Sequence, residues 1–200
     1  ANGCFKDASF DITEPPALEE FESTVTDVDC NGVNTGSIDI TITGGTPDLN
    51  GEYSYEWVLT NDPTTIISTL PIASDLGPGN YTVTVLDSND CELILDYDIT
   101  EPSNIEISLE ESTSILNLDC FGDLGIIDIT ITGGTTDLTG EYSYEWTLGG
   151  NNYSNLADIE SLGPGNYSVT VTDDNGCSIQ SQDFIIDEPV PLGFTDALIS

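Results

Sequence analysis

Apolar and polar residues alternate along most of this chain with the period of two that is typical of a half-buried β-strand. Ile38, Ile40 and Ile42 lie on one parity of residues 36–43, and polar residues occupy the other. The same alternation returns at residues 53–59 and 81–85, and no segment keeps a helical period. The pattern therefore predicts an all-β protein built from antiparallel strands.

The whole pattern occurs twice. The string IDITITGGT occupies residues 38–46 and again 127–135. Prolines of EP dipeptides stand at Pro15, Pro102 and Pro189, at intervals of 87 residues (102 − 15 and 189 − 102). This period is too long for a solenoid repeat and suits a small domain with its own core.

The proline spacing sets the expected domain boundaries. We expect two complete repeats at residues 16–102 and 103–189. Residues 1–15 match the terminal strand of a preceding repeat, and residues 190–200 match the first strand of a following one.

Each repeat has about seven predicted strands, which favours an immunoglobulin-like, fibronectin III-like antiparallel β-sandwich. Trp57 and Trp146 lie on the inward parity of the third strand and are predicted to be core residues. Tyr81 and Tyr167 follow the string LGPGN, as in a tyrosine corner. The short junctions between repeats predict a tandem head-to-tail, semi-rigid rod that advances by about 40 Å per repeat.

The charge of the chain limits its partners. Asp and Glu number 37 against a single basic residue, Lys6, and there is no histidine, so the formal net charge is −36. Such a field repels nucleic acid and anionic membranes. No apolar stretch reaches the length of a membrane helix, so we expect no membrane insertion in this segment. The chain lacks the histidine and the basic side chains from which nucleophilic triads and phosphate-binding sites are built. We therefore expect that this segment is not an enzyme.

Calcium is the one cofactor that the acidic residues suggest, because this ion prefers carboxylate, amide and carbonyl oxygens. Candidate ligands lie in the predicted hairpins before the last strands and near the junction between the repeats. They are Asp87, Asn89, Asp90, Asp173, Asp174, Asn175, Asp27, Asp29 and Glu101. An ordinary hairpin turn explains the same residues equally simply, so no cofactor is required.

The five cysteines fall into two classes. Cys4, Cys91 and Cys177 begin a final strand, whereas Cys30 and Cys120 lie in the turn after an opening strand. Within one ordinary sandwich, Cys30 and Cys91 would lie about 25 Å apart, beyond the limit of about 7 Å for bonded Cα atoms. Head-to-tail stacking predicts a Cys30 to Cys177 bond between repeats, with the other three cysteines left for repeats beyond this segment.

Two other outcomes for the cysteines stay open. An unusual path of the opening strand would instead pair Cys30 with Cys91 and Cys120 with Cys177. Free thiols are the third outcome.

Several strings together resemble the SprB repeat of Bacteroidetes surface proteins. They are DCNG at residues 29–32, ITITGGT, YSYEW, LGPGNYTVTV and a late cysteine, in that order. The resemblance implies a large exported adhesin, carried by the type IX secretion system and displayed on the exterior of the bacterial outer membrane. In some members of the family the adhesin moves during gliding motility. The chain departs from the family pattern by inserting DLNGE or DLTGE before the YSYEW strand.

Three functions follow as hypotheses. As part of an adhesin, the repeats form a stalk or a contact surface for an unidentified surface polysaccharide or protein, with neighbouring repeats of the same chain as further partners. Tyr153, in the predicted loop 151–155, is the best surface aromatic for such contact. Alternatively, the repeats are passive spacers in a surface enzyme or glycan-binding protein, or they form a filament through an exposed strand edge at residues 8–13.

Overall fold

The computed structural model describes residue 6, residues 8–136 and residues 139–193. In this part of the chain, two compact units form. Unit 1 contains Asn34–Thr100 and the residues up to Val28, and unit 2 contains Asp29–Val33 and the residues from Glu101 onward. A search of the described residues finds no helix with the length and apolar character needed to span a membrane.

Unit 1 is a sandwich of two antiparallel sheets. Its strands are β1 (Glu19–Thr26), β2 (Gly36–Thr43), β3 (Ser54–Leu59), β4 (Asp62–Ser68), β5 (Ile72–Leu76), β6 (Gly79–Leu86) and β7 (Glu92–Ile99). One sheet has the order β1-β2-β5 and the other the order β4-β3-β6-β7. This division is the A-B-E and C′-C-F-G arrangement of a fibronectin III-like sandwich, so the predicted fold class is confirmed.

The core of unit 1 takes side chains from both sheets, as the alternation predicts. Ile38 and Ile40 of β2 are buried, and the polar residues between them face outward. Trp57 and Val83 lie on paired positions of β3 and β6 and are fully buried. Burial of each large apolar side chain contributes about 1.5–3 kcal/mol, which makes this cluster the main source of stability.

Unit 2 repeats the same architecture. Its strands are β8 (Glu106–Leu109), β9 (Gly125–Ile127), β10 (Ile129–Thr132), β11 (Ser143–Leu148), β12 (Asn151–Ser154), β13 (Ile159–Leu162), β14 (Gly165–Thr172), β15 (Ser178–Gln180) and β16 (Phe184–Ile186). Strands β12-β11-β14-β15 form one sheet, with β16 also paired to β14. Strands β10 and β8 pair separately from β13 and β9.

Unit 2 differs from unit 1 in its second strand, which is split between β9 and β10. The Ser114 hydroxyl accepts a hydrogen bond from the Asp128 backbone N–H at 3.0 Å. The Asp158 carboxylate accepts the N–H of the next residue, Ile129, at 3.0 Å. These side chains replace ladder partners at this point, and the strand is interrupted.

The segment before β1 differs from the prediction. Residues 8–18 have no regular secondary structure, and residues 8–13 are exposed, so they present no strand edge. A strand requires a hydrogen-bonded neighbour, and these residues pair with none of the described strands. Residues 191–193 also lie outside any strand, and residues 194–200 fall outside the described residues.

Candidate functional site

A tight turn between β14 and β15 positions Cys177. The Asp173 side chain is only 6% exposed, and its Oδ1 accepts the Cys177 N–H at 2.8 Å. Its Oδ2 accepts the Thr135 N–H at 2.9 Å, and its own N–H donates to the Cys177 carbonyl at 2.9 Å. Gly176 adopts a φ of 83°, which glycine tolerates best. One buried carboxylate thus fixes the backbone on both sides of the turn.

A second turn, Asp29–Val33, belongs to unit 2 although it follows β1 along the chain. The Gly32 N–H donates to Oε2 of Glu101 at 2.6 Å. The Asn31 amide donates to the Pro102 carbonyl at 3.0 Å, and the Asn175 amide donates to the Asp29 carbonyl at 2.9 Å. These bonds hold Cys30 beside the Cys177 turn.

A disulfide joins Cys30 to Cys177 with a Cα–Cα distance of 5.6 Å. This distance is within the normal range for a bonded pair. The partners are separated by 147 residues along the chain. In the chain-entropy model, closing a loop of this length stabilises the folded state by about 5 kcal/mol.

The alternative cysteine pairings do not occur in the structure. Cys91 and Cys120 are free and exposed. Cys4 lies outside the described residues. A cleft of about 270 Å³ adjoins the disulfide and is lined by residues of both turns and by the segment that leads into β8.

The candidate calcium ligands mostly bind backbone groups. Oδ1 of Asp87 accepts the N–H groups of Asn89 and Cys91 at 2.8 and 2.9 Å, and Oδ2 accepts that of Thr46 at 2.9 Å. The hydrogen bonds from Cys91 and Thr46 lower the pKa of Asp87 below its ordinary value. Asp90 supplies the positive φ of 61° that Gly176 supplies in the second turn.

The remaining candidates lie at the turns without converging on one point. Asp27 Oδ1 accepts the N–H of Thr100 at 2.7 Å. The Asp174 N–H donates to the Thr135 carbonyl at 2.9 Å. Among residues 6, 8–136 and 139–193, no group of three or more acidic, cysteine or histidine side chains is arranged to hold a metal ion. The carboxylates of Asp27, Asp87, Asp173 and Glu101 accept backbone N–H groups at these turns.

The predicted structural aromatics are core residues. Trp57 and Trp146 are fully buried, and their indole N–H groups donate to the carbonyls of Leu70 and Leu156, each at 2.9 Å. The hydroxyl of Tyr81 donates to the Gly77 carbonyl at 2.9 Å. Burial raises the pKa of Tyr81.

Tyr167 occupies the same corner in unit 2. Its hydroxyl donates to the Gly163 carbonyl at 3.1 Å. Each repeat thus has the tyrosine corner that its LGPGNY string predicts.

Tyr153 lies on a strand, where a loop was predicted. Residues Asn151–Ser154 form β12, which pairs with β11 across a register shift at Trp146. The Tyr153 side chain is 43% exposed, and its ring meets that of Tyr167 edge-on at a centroid distance of 5.3 Å. A shallow depression beside it is lined also by Tyr144, Glu145 and Asn152. An aromatic ring with adjacent polar groups can contact a sugar or a polar peptide.

The sequence reasoning missed one contact of Glu101. Its carboxylate, proposed as a calcium ligand, also accepts the Gly32 N–H. The second repeat shows the same arrangement, since Glu188 accepts the Gly122 N–H at 3.1 Å. The signal was available, because the DC-x-G and EP strings occur together in both repeats.

The Cys30 turn and the strands on either side of it lie in a segment that matches a known family. Residues 22–58 match the family model of the SprB repeat. The resemblance inferred from the motifs is thereby confirmed over β2 and most of β1 and β3. The second repeat carries two of the strings found in this segment, IDITITGGT and YSYEW. No curated protein sequence matches the chain.

Several solved structures of sandwich domains are similar to the chain. The three N-terminal domains of the bacteriophage RB49 highly immunogenic outer capsid protein are 17% identical with a TM-score of 0.47, over 83% of this chain and 58% of that one. Extracellular domains 3–5 of Drosophila OTK are 13% identical with a TM-score of 0.41, over 87% and 62%. The fibronectin(III)-like modules of Clostridium thermocellum CbhA are 13% identical with a TM-score of 0.33, over 84% and 95%. The chain thus spans about three fifths of the first two structures.

Proposed function

We propose that this segment is a non-enzymatic part of an exported cell-surface adhesin and carries tension between the cell and the surface to which the adhesin attaches. Two features support this role. The segment is a tandem pair of sandwich units with an SprB repeat match, which fits a surface repeat segment. A disulfide is typical of proteins that work outside the reducing cytoplasm.

The Cys30 to Cys177 disulfide is the observation that carries the proposal. Tension applied to the chain before Cys30 and after Cys177 passes through the S–S bond. The stretch between the two cysteines, which stand 147 positions apart, is therefore shielded from extension. An adhesin stalk needs this property, because a repeat that unfolds under load lengthens the tether and exposes its core.

The charge agrees with display outside the cell. A formal charge of −36 keeps neighbouring copies apart and disfavours collapse of a long array. We propose that the type IX secretion system exports the adhesin and that the adhesin is displayed on the exterior of the outer membrane. Gliding motility is one process in which we propose that it acts.

The contact surface that we propose lies at β12 of unit 2. Tyr153 presents a partly exposed ring, and Glu145 and Asn152 border the same depression. An amide and a carboxylate beside an aromatic ring suit a polysaccharide or a polar protein segment.

Detachment of cells under flow tests the tension role. Cells that display the native segment are compared with cells that display the Cys30→Ser, Cys177→Ser variant at equal surface density. We expect equal attachment without flow and earlier detachment of the variant as shear rises. Equal detachment curves would overturn the tension role. The Leu49→Ser variant is the matched control, because it changes a fully exposed side chain outside both cysteine turns.

Attachment of a Tyr153→Ala variant separates a contact surface from a passive spacer. The contact surface predicts weaker attachment at zero flow, with Tyr153→Phe close to the native chain because the ring is kept. Passive spacers predict no change from either substitution, while deletion of a whole repeat only shortens the reach. Tyr142→Phe serves as the matched control. The Tyr142 hydroxyl donates to the Gly133 carbonyl at 2.7 Å, and Tyr142 does not line this depression.

A further inference from the structure

Unit 1 contains a copy of the turn that holds Cys177. Oδ1 of Asp87 accepts the N–H of Cys91 at 2.9 Å, as Oδ1 of Asp173 accepts that of Cys177 at 2.8 Å. The Asp87 N–H donates to the Cys91 carbonyl at 3.1 Å, and the corresponding bond in unit 2 is 2.9 Å. Cys91 is nevertheless free and exposed. It is therefore presented on the same backbone as the bonded cysteine.

Unit 2 contains a copy of the turn that holds Cys30. The Gly122 N–H donates to Glu188 at 3.1 Å, as the Gly32 N–H donates to Glu101 at 2.6 Å. Cys120 in this turn is free and exposed, and the neighbouring Phe121 is 59% exposed. A large aromatic ring beside an exposed thiol is typical of a surface that a partner covers.

We propose that Cys120 and Cys91 are the two halves of a second disulfide joint, in which the Cys120 turn docks on the Cys91 hairpin of an adjoining repeat of the same type. The occupied joint in unit 2 identifies the partner, since the carboxylate-to-N–H bonds that shape both of its turns recur at Cys91 and at Cys120. This inference does not depend on what the array binds.

The occupied joint also predicts contacts in the second one. The Asn175 amide donates to the Asp29 carbonyl in the Cys30 joint. Asn89 stands at the matching place in the unit 1 hairpin, so its amide is expected to bond the Asp119 carbonyl of the docked turn. Phe121 stands where Asn31 does, and an apolar contact replaces the amide contact there.

Bond formation requires an oxidant of the disulfide class. The two thiols lose two protons and two electrons as the S–S bond forms, and oxidised glutathione takes them up and becomes two thiols. The negative charge of Asp87, followed by burial and by Asp90, raises the pKa of the Cys91 thiol. The exchange therefore runs faster at mildly alkaline pH, where the thiolate is populated.

The joint has a mechanical consequence for an array. Each bond of this kind closes a loop of 147 residues, which exceeds the 87-residue period (102 − 15). Loops in successive repeats must therefore overlap. In an array with every joint formed, each residue of an internal repeat lies inside at least one closed loop, and little chain can be extended by tension.

A lengthened chain tests the joint. Residues 16–189 are inserted a second time after residue 189, in a Cys4→Ser background, and the protein is oxidised with glutathione at about pH 8.5. The original residues 16–189 are the first block, and the inserted copy is the second block. First-block Cys120 and second-block Cys91 are then separated by nearly the same number of residues as Cys30 and Cys177. We expect a peptide that links these two cysteines, and two free thiols in the whole protein instead of four.

Two variants make the result decisive. Serine at first-block Cys120 should free second-block Cys91 and leave both Cys30 to Cys177 bonds in place. Alanine at second-block Asn89 should slow formation of the linked peptide several-fold. Both Cys30 to Cys177 bonds should still form in this variant. Four free thiols, or Cys120 linked to any other cysteine, would overturn the proposal.

Discussion

Removal of the Cys30 to Cys177 bond should change how far the chain extends when it is pulled from its ends. With the bond intact, complete unfolding extends only the residues outside the 147-residue loop. A fully extended chain spans about 3.3–3.6 Å per residue, so opening the loop adds roughly 500 Å of contour length. The 5.6 Å Cα–Cα separation of the bonded pair is negligible beside this length.

Single-molecule force spectroscopy measures this difference directly. The native chain and the Cys30→Ser, Cys177→Ser variant are held between the same terminal handles and stretched until no further unfolding occurs. We expect final contour lengths that differ by about 500 Å, and the native chain should reach the longer value after reduction. A Cys91→Ser, Cys120→Ser control should match the native chain. Equal contour lengths for the native chain and the first variant would refute the shielding argument.

Three further predictions concern the stability of the units. Trp146→Ala should destabilise unit 2 by about 3–5 kcal/mol. Urea denaturation followed by far-UV circular dichroism reports on both units, and the fluorescence of Trp57 reports on unit 1 alone. An equal loss of stability in unit 1 would contradict this prediction. Tyr81→Phe should cost about 1 kcal/mol, because it removes the bond to the Gly77 carbonyl, whereas an unchanged midpoint would count against the corner. Hydrogen bonds lower the pKa of Asp87 from 3.8. The stability that this carboxylate contributes is thus complete above that value and is lost as the pH falls through the lowered pKa. Asp87→Asn should therefore flatten the fall of the unit 1 melting temperature at acid pH. A fall as steep as that of the native chain would contradict the proposed contribution of Asp87.

The sequence predicted most of the fold because burial leaves a direct mark on the alternation of residues. The parity of Ile38 to Ile42 and of Trp57 reports which side chains enter the core. The corner at Tyr81 was predictable for a similar reason, since a local string places the hydroxyl near a carbonyl only a few residues earlier.

The details of unit 2 were less predictable. The break at Asp128 arises because the Ser114 hydroxyl, from the segment between β8 and β9, bonds the backbone N–H and carbonyl of Asp128. The strand Asn151–Ser154 was predicted as a loop because its residues are polar and its pairing with β11 shifts register. Neither the contact nor the register is encoded in a local pattern.

The acidic turns show a different limit. Composition indicates that Asp87 and Asp173 are carboxylates, but it does not indicate whether they face an ion or backbone N–H groups. In the structure both accept several backbone N–H bonds and shape their turns. The role of these carboxylates becomes visible only in the structure, where both turns have the same geometry and place Cys91 and Cys177 at equivalent positions.

Non-reducing peptide mapping of the protein from its native source tests the central claim most directly. The account predicts a peptide that contains Cys30 linked to Cys177, and this peptide should separate into two on reduction. A Cys30 to Cys91 peptide, or free thiols at both Cys30 and Cys177, would contradict the account, because tension would then pass through the residues that the disulfide is proposed to shield.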